Sequence, residues 1–337
     1  MSRPAYESLP VPNDAPFALK PSAPGHGWGA FATRPIARGS VILREQALFA
    51  IPKHHDAITE LDVLSALRQS PRATQRQFLS LRDDAGAPFA NIAKAFAENS
   101  FAIGDPEAGA PSHGFFPLLS RFNHSCLPNA AVPIDEEGPR DTPAIHATRD
   151  IAAGEEITFS YDPRFASQTA RERHGALGFA CDCPACRPGT ASHRASDLRQ
   201  RLIRGLQFML PGGDDPTVAV AGSEPFHVIA DPIARKQVAE SRTPLSSELV
   251  YNLLTVCLME AEGILDDFEF ARLHHSCTAM ATMFRGPKNA DIARRAMAQN
   301  TPSERLRVAF ELYGCADAAD AQMANTLRAM QAASLSR

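Results

Sequence analysis

Apolar positions along this chain follow two rhythms, one strand-like and one helical, that alternate in blocks. From Gly25 to Leu48 short apolar runs are broken by glycine, as in Gly29-Ala30-Phe31-Ala32 and Gly39-Ser40-Val41-Ile42-Leu43. This spacing predicts two short strands joined by a turn near Ala37-Arg38-Gly39. Between residues 54 and 100 the rhythm changes. Ile58, Leu61, Leu64, Ala66-Leu67, Phe78, Leu81, Ile92, Ala95 and Phe96 recur at helical spacing, with Pro71 and Pro88 as breaks, which predicts about three helices. Residues 114–162 return to short strands, with turns at Glu137-Gly138-Pro139 and Ala153-Gly154. Residues 1–24 are proline-rich with little period and read as an irregular leader.

Past a polar joint at Arg187–Ser196, the pattern is mostly helical. Val250, Leu253, Leu254, Cys257, Leu258, Ala261, Ile264 and Leu265 fall on one helical face. Thr301-Pro302-Ser303-Glu304 has the cap, first-turn proline and later glutamate of a helix start, and Pro211–Pro225 reads as a loop. The blocks together predict an α+β chain. A β-rich domain spans 25–162 with a helical insert at 54–110. A short segment follows at 163–190, and a helical domain at 191–337.

Composition narrows the class. With 337 residues, 44% hydrophobic, 21% charged and a net charge of −4, the chain has the profile of a two-domain globular protein. Its charge argues against direct nucleic-acid binding. No apolar run reaches the length of a signal peptide core or a membrane span, so a cytoplasmic or nuclear monomer is the expectation. Seven cysteines divide into four clustered and three solitary, Cys257, Cys277 and Cys315, a split that suits a reduced compartment with one metal site better than a disulfide framework.

The four are Cys126, inside Arg121-Phe122-Asn123-His124-Ser125-Cys126-Leu127-Pro128-Asn129, and the triplet Cys181-Asp182-Cys183-Pro184-Ala185-Cys186. Four thiolates complete a closed tetrahedral zinc site, structural rather than catalytic. Such a tie would draw the segment after Tyr161 back onto the segment before it. His124 is then not needed as a ligand. The glycines of Gly25-His26-Gly27-Trp28-Gly29 lack dinucleotide-fingerprint spacing and a following helix. They suit a backbone passing close to a ligand. Glu155-Glu156 reads as a turn with solvated charge, because adjacent strand residues face opposite sides. His54-His55 and His274-His275 read as surface pairs.

The order G-x-G, then N-H-S-C-x-P-N, then Gly154-Glu155-Glu156-Ile157-Thr158-Phe159-Ser160-Tyr161, then C-x-C-x-x-C resembles the SET-domain lysine methyltransferases. Within that family it resembles most the branch of SET-and-MYND proteins and their shorter fungal relatives. Two further stretches carry the resemblance: Glu98-Asn99-Ser100-Phe101-Ala102-Ile103, and Arg171-Glu172-Arg173-His174-Gly175-Ala176-Leu177-Gly178-Phe179. It covers about residues 20–190. The insert contains no cysteine, so the MYND finger is missing.

The resemblance implies a fold of small sheets with a knot-like substructure, a zinc-bound post-SET segment and S-adenosylmethionine as cofactor. Carried over, the cofactor contacts are His26, Gly27 and Trp28 on the glycine strand, Asn99, Asn123, His124 and Tyr161, with Phe179 stacking on adenine. An aromatic face offers a base a large apolar contact at low entropic cost. Cys126, Cys181, Cys183 and Cys186 hold one structural zinc ion. Tyr161 is the catalytic candidate, aligning the amine and stabilising charge near the methyl. Phe115, Phe116, Phe122 and Phe159 are candidates for the substrate channel, and phenylalanine at 159 leaves room for more than one methyl. The implied substrate is a lysine side chain of a protein, histone or not, with no membrane partner. Two other readings stay open: a SET scaffold acting on a non-protein substrate, and a catalytically silent module binding cofactor and partner.

Overall fold

A computed structural model of the chain describes residues 9–23, 27–80, 92–103, 112–133, 142–208, 245–267, 269–271, 273 and 298. It divides into two compact units. One comprises residues 1–124 and 128–159, the other 125–127 and 160–337.

Among the described residues the first unit holds three small sheets and three α-helices. β1 (Phe17–Pro21), β2 (Trp28–Ala32), β7 (Asn123–His124) and β10 (Glu156–Phe159) form a four-stranded sheet in the order β1-β2-β10-β7. Within it β7 runs parallel to β10, pairing Asn123 with Thr158 and His124 with Phe159. β3 (Val41–Arg44), β9 (Ala144–Ala147) and β8 (Ala130–Ala131) make the second sheet; β4 (Ala50–Ile51), β6 (Ser112–Phe115) and β5 (Ser100–Ile103) make the third. The helices are α1 (Glu60–Gln69), α2 (Arg72–Ser80) and α3 (Ile92–Ala97). Thr59 starts α1 with a reciprocal cap, its hydroxyl and Asp62 exchanging bonds with the backbone.

Several expectations need amending. The leader is not irregular throughout: Phe17–Pro21 pairs along its whole length with β2, because Phe17 is an inward anchor that meets Phe122 edge-on at 5.1 Å. The two strands flanking Gly39 exist but belong to different sheets, since β2 pairs with β1 and β10 while β3 pairs with β9. The insert also ends in a strand, β5.

The core of this unit is aromatic. Phe115 packs against Phe78 at 5.1 Å and Phe49 at 5.4 Å, and Phe101 against Phe116 at 5.7 Å and Phe159 at 5.8 Å. β10 alternates cleanly: Ile157 and Phe159 are buried in this core, while Glu156 and Thr158 face the other side half-buried.

The second unit begins with a short 3-10 turn at Pro163–Ser167, followed by α4 (Ala170–Leu177), α5 (Ala191–Phe208) and α6 (Leu245–Glu262). α5 starts inside the polar joint read from the sequence. Glu172, 5% exposed, closes the capping box on Thr169 and also accepts from Arg204 of α5 at 2.9 Å. Glu262 at the end of α6 accepts from Arg199 at 2.7 Å and from Ser196. These buried ion pairs hold α4 and α6 to α5. α6 is not amphipathic as expected: every residue from Tyr251 to Met259 is buried, and the helix ends at Glu262, before Ile264 and Leu265. A helical segment buried on every side belongs in a core. Among the described residues no helix is long and apolar enough to cross a membrane. The predicted helix start at Thr301, the loop at Pro211–Pro225, His274-His275, Cys277 and Cys315 lie outside the described residues.

Candidate functional site

Four thiols converge in the second unit. α4 is ended by Gly178, whose φ of 73° an L side chain would strain, and the chain then turns into the cysteine triplet. Cys183 accepts backbone bonds from Cys186 at 2.9 Å and Arg187 at 3.0 Å, a tight loop that aims both thiols inward. Cys126 joins them, 3.4 Å from Cys186 and 4.0 Å from Cys181. All four Sγ atoms lie within 4.8 Å of one another. A zinc tetrahedron with Zn–S near 2.3 Å requires sulfur separations of about 3.8 Å, so this group fits one tetrahedral ion. Cys126, Cys181 and Cys186 are buried and Cys183 half-buried, with Ala170, Ala185, Leu127 and Leu177 around them. The four are free cysteines, joined by no disulfide.

Their proton affinities diverge as crowded thiols must. Hydrogen bonding with Cys181 is the leading cause that pushes Cys126 above the usual thiol range. The bond from Cys126 leads in drawing Cys183 down to about 7. Arg173 adjoins the group, wholly buried, its Nη2 donating to Cys186 Sγ at 3.3 Å.

Of the first unit's residues expected at a cofactor, Trp28, Asn123 and His124 lie on the β1-β2-β10-β7 sheet, Gly27 directly precedes β2, and Asn99 lies between α3 and β5. Gly27 adopts a left-handed φ of 68° with nothing within 4 Å of where a Cβ would stand, and its carbonyl accepts from Ser22 N–H. Trp28 opens β2, half-buried, and its carbonyl accepts from Asn123 Nδ2 at 3.3 Å. The same Nδ2 donates to Glu156 Oε1 at 2.7 Å, and Ser22 Oγ donates to both oxygens of Glu156 at 2.8 Å. Gly29 makes room for this knot: a Cβ there would lie 2.2 Å from Glu156 Oε1 and 2.9 Å from Asn123 Nδ2. Because Nδ2 spends its protons on Trp28 and Glu156, the amide orientation is fixed. Among the described residues no bond reaches its Oδ1, which is an acceptor open to a donor. Asn99, 9% exposed, donates to Ala95 O at 2.8 Å and accepts from Arg121. His124 is buried on β7. His26 lies outside the described residues.

Glu155 and Glu156 correct the solvated-turn reading. Glu155 accepts from Arg149, from Ala152 N at 3.0 Å and from Asn129 at 3.0 Å. Burial works to raise its carboxyl, and these partners together hold it below the usual range. Sequence spacing showed which faces the pair takes but not what lies across the sheet. Glu45 was missed altogether. Its carboxylate caps the short turn Leu119–Arg121, accepting from Leu118 N at 3.0 Å and Leu119 N at 2.7 Å. Burial pushes it up to about 7 against those bonds and Arg121. A lone Glu in a loop carries no motif that could have signalled this.

Phe115, Phe116 and Phe122 are wholly buried and Phe159 nearly so, all four within the core of the first unit. Tyr161 and Phe179 belong to the second unit and are exposed, at 46% and 45%.

Residues 27–162 match the family described as the SET domain. This stretch takes in most of the small sheets and the helices of the first unit, and parts of the chain are similar to the following proteins. The "Histone-lysine N-methyltransferase set5" of Schizosaccharomyces pombe is 30% identical over 204 residues, 59% of this chain and 56% of that protein. The "Histone-lysine N-methyltransferase SMYD3" of Mus musculus is 36% identical over 104 residues, 29% of this chain and 23% of that protein. The "Protein-lysine N-methyltransferase SMYD4" of Homo sapiens is 36% identical over 85 residues, 24% of this chain and 10% of that protein. The chain thus spans little more than half the length of the first of these and less of the others.

Proposed function

We propose that the chain is an S-adenosylmethionine-dependent N-methyltransferase acting on a lysine side chain of a protein, in the cytoplasm or nucleus. The observation that carries this reading is the SET-domain match over 27–162, which spans the Asn123-His124 and Glu156-to-Tyr161 stretches together. Relatives named as histone-lysine or protein-lysine methyltransferases support it.

S-adenosylmethionine, when bound, supplies a methyl group activated by a positive sulfur. The chain's own residues then have three tasks. Gly27 and Trp28 offer backbone, and Asn123 a fixed acceptor, toward a cationic amino-acid moiety. His26, Asn99 and His124 are further contacts, and Phe179 the aromatic face for a purine. Tyr161 orients the amine lone pair and sits against the developing charge, because methyl transfer is chiefly a matter of alignment. The amine must also arrive neutral, and a lysine starting near pKa 10.4 needs surroundings that disfavour its cation. Cys126, Cys181, Cys183 and Cys186 hold one zinc ion, which stabilises the fold without an open coordination position.

Calorimetry with S-adenosylmethionine tests the cofactor. Saturable binding with one site is expected. No heat at millimolar ligand would sink the reading and leave a scaffold.

A further inference from the structure

Arg173 is the one arginine among the largest fully buried side chains of the described residues, at 0% exposure. A guanidinium stays charged at any ordinary pH, and a buried charge without a counter-charge is costly. Its neighbour Glu172 does not serve: that carboxylate is taken by Thr169 and Arg204. Arg173 itself donates to Gln168 O and, at 3.3 Å, to Cys186 Sγ, and its Nε has no partner. The sulfur cluster is the anion that its position offers it.

We propose that Arg173 is the counter-charge of the cysteine site. The inference rests on the reading that the four cysteines hold zinc. Four thiolates around a divalent ion leave a net charge of minus two in an apolar pocket of Ala170, Ala185, Leu127 and Leu177. One guanidinium halves that charge and makes a charge-assisted bond to one sulfur. It draws electron density from Cys186 and lowers the nucleophilicity of that sulfur. Ion and arginine thus satisfy each other, and each is costly to bury alone.

The test uses the purified zinc-loaded protein, with zinc transfer to a chromogenic chelator measured at one fixed pH. Wild type, Arg173→Lys and Arg173→Met are compared, with iodoacetamide alkylation of the bound thiolates as a second readout. In Arg173→Met, zinc affinity should fall roughly 10–100-fold, the range seen when a partner of a metal ligand is removed, and alkylation should quicken. Arg173→Lys keeps the charge and should recover most of the affinity. A Met variant with wild-type affinity and alkylation rate overturns the proposal. So does a Lys variant as weak as the Met variant, which would make shape rather than charge the cause. Should the Met variant not accumulate folded, Arg173→Gln, which keeps a donor without charge, carries the same comparison. Wild-type protein containing no zinc overturns the metal reading itself. Methyl transfer is not among the readouts, so a failure of the proposed activity would leave this result standing.

Discussion

Glu156 shows how much one carboxylate can organise. It gathers Ser22, Asn123 and, through Asn123, the carbonyl of Trp28. A hydrogen bond to a charged group contributes about 1.5–3 kcal/mol, yet the larger effect concerns orientation. Without Glu156, the Asn123 amide can turn its nitrogen where Oδ1 now stands. Glu156→Ala is expected to lower the thermal midpoint modestly and to weaken S-adenosylmethionine binding by tenfold or more. Glu156→Gln, which keeps an acceptor, should retain more of the affinity. Calorimetry of both variants checks this, and wild-type affinity in the alanine variant would remove Glu156 from the site. The knot was not legible in the sequence. Period-two alternation places Glu156 on one face of β10, but its partners lie on β2, β7 and the loop after β1, far apart in the chain. The cysteine group was legible because three of its four members are local.

At the scale of elements, the short turn Leu119–Arg121 feeds straight into Phe122-Asn123-His124, and Glu45 is its cap. Glu45 has a folded pKa raised from 4.5 to about 7, burial being the main cause. A raised carboxyl favours folding below the unfolded value and loses that contribution as pH climbs through the folded one. A shift of some 2.5 units corresponds to roughly 3 kcal/mol, reduced by whatever solvent reaches the group. Urea unfolding should therefore show stability declining between about pH 4.5 and 7 in the wild type, with a flatter profile in Glu45→Gln. Identical slopes in the two proteins would refute the assignment. The helices α1 to α3 were readable from apolar spacing and proline breaks. α6 misled, because its stripe of Leu253, Leu254, Cys257 and Leu258 is part of a segment, Tyr251 to Met259, buried on every side, Asn252 and Thr255 included. A stripe marks one buried face and says nothing of a second.

On the scale of the whole molecule, the chain's two compact units do not follow the linear blocks. Residues 125–127 group with the segment after Ser160, while the strands on either side of them belong to the first unit. Cys126 is the reason this grouping matters, since its sulfur lies with those of Cys181, Cys183 and Cys186. Sequence order alone could list these motifs, and the family resemblance gave them a common purpose. The remaining question is whether the chain turns over. Incubation with methyl-labelled S-adenosylmethionine and a protein extract addresses it in one step, with Tyr161→Phe alongside. Label should appear on protein lysine with the wild type and fall at least a hundredfold with the variant, whose cofactor affinity stays near normal. Label confined to small molecules, or equal transfer by both proteins, would contradict the account.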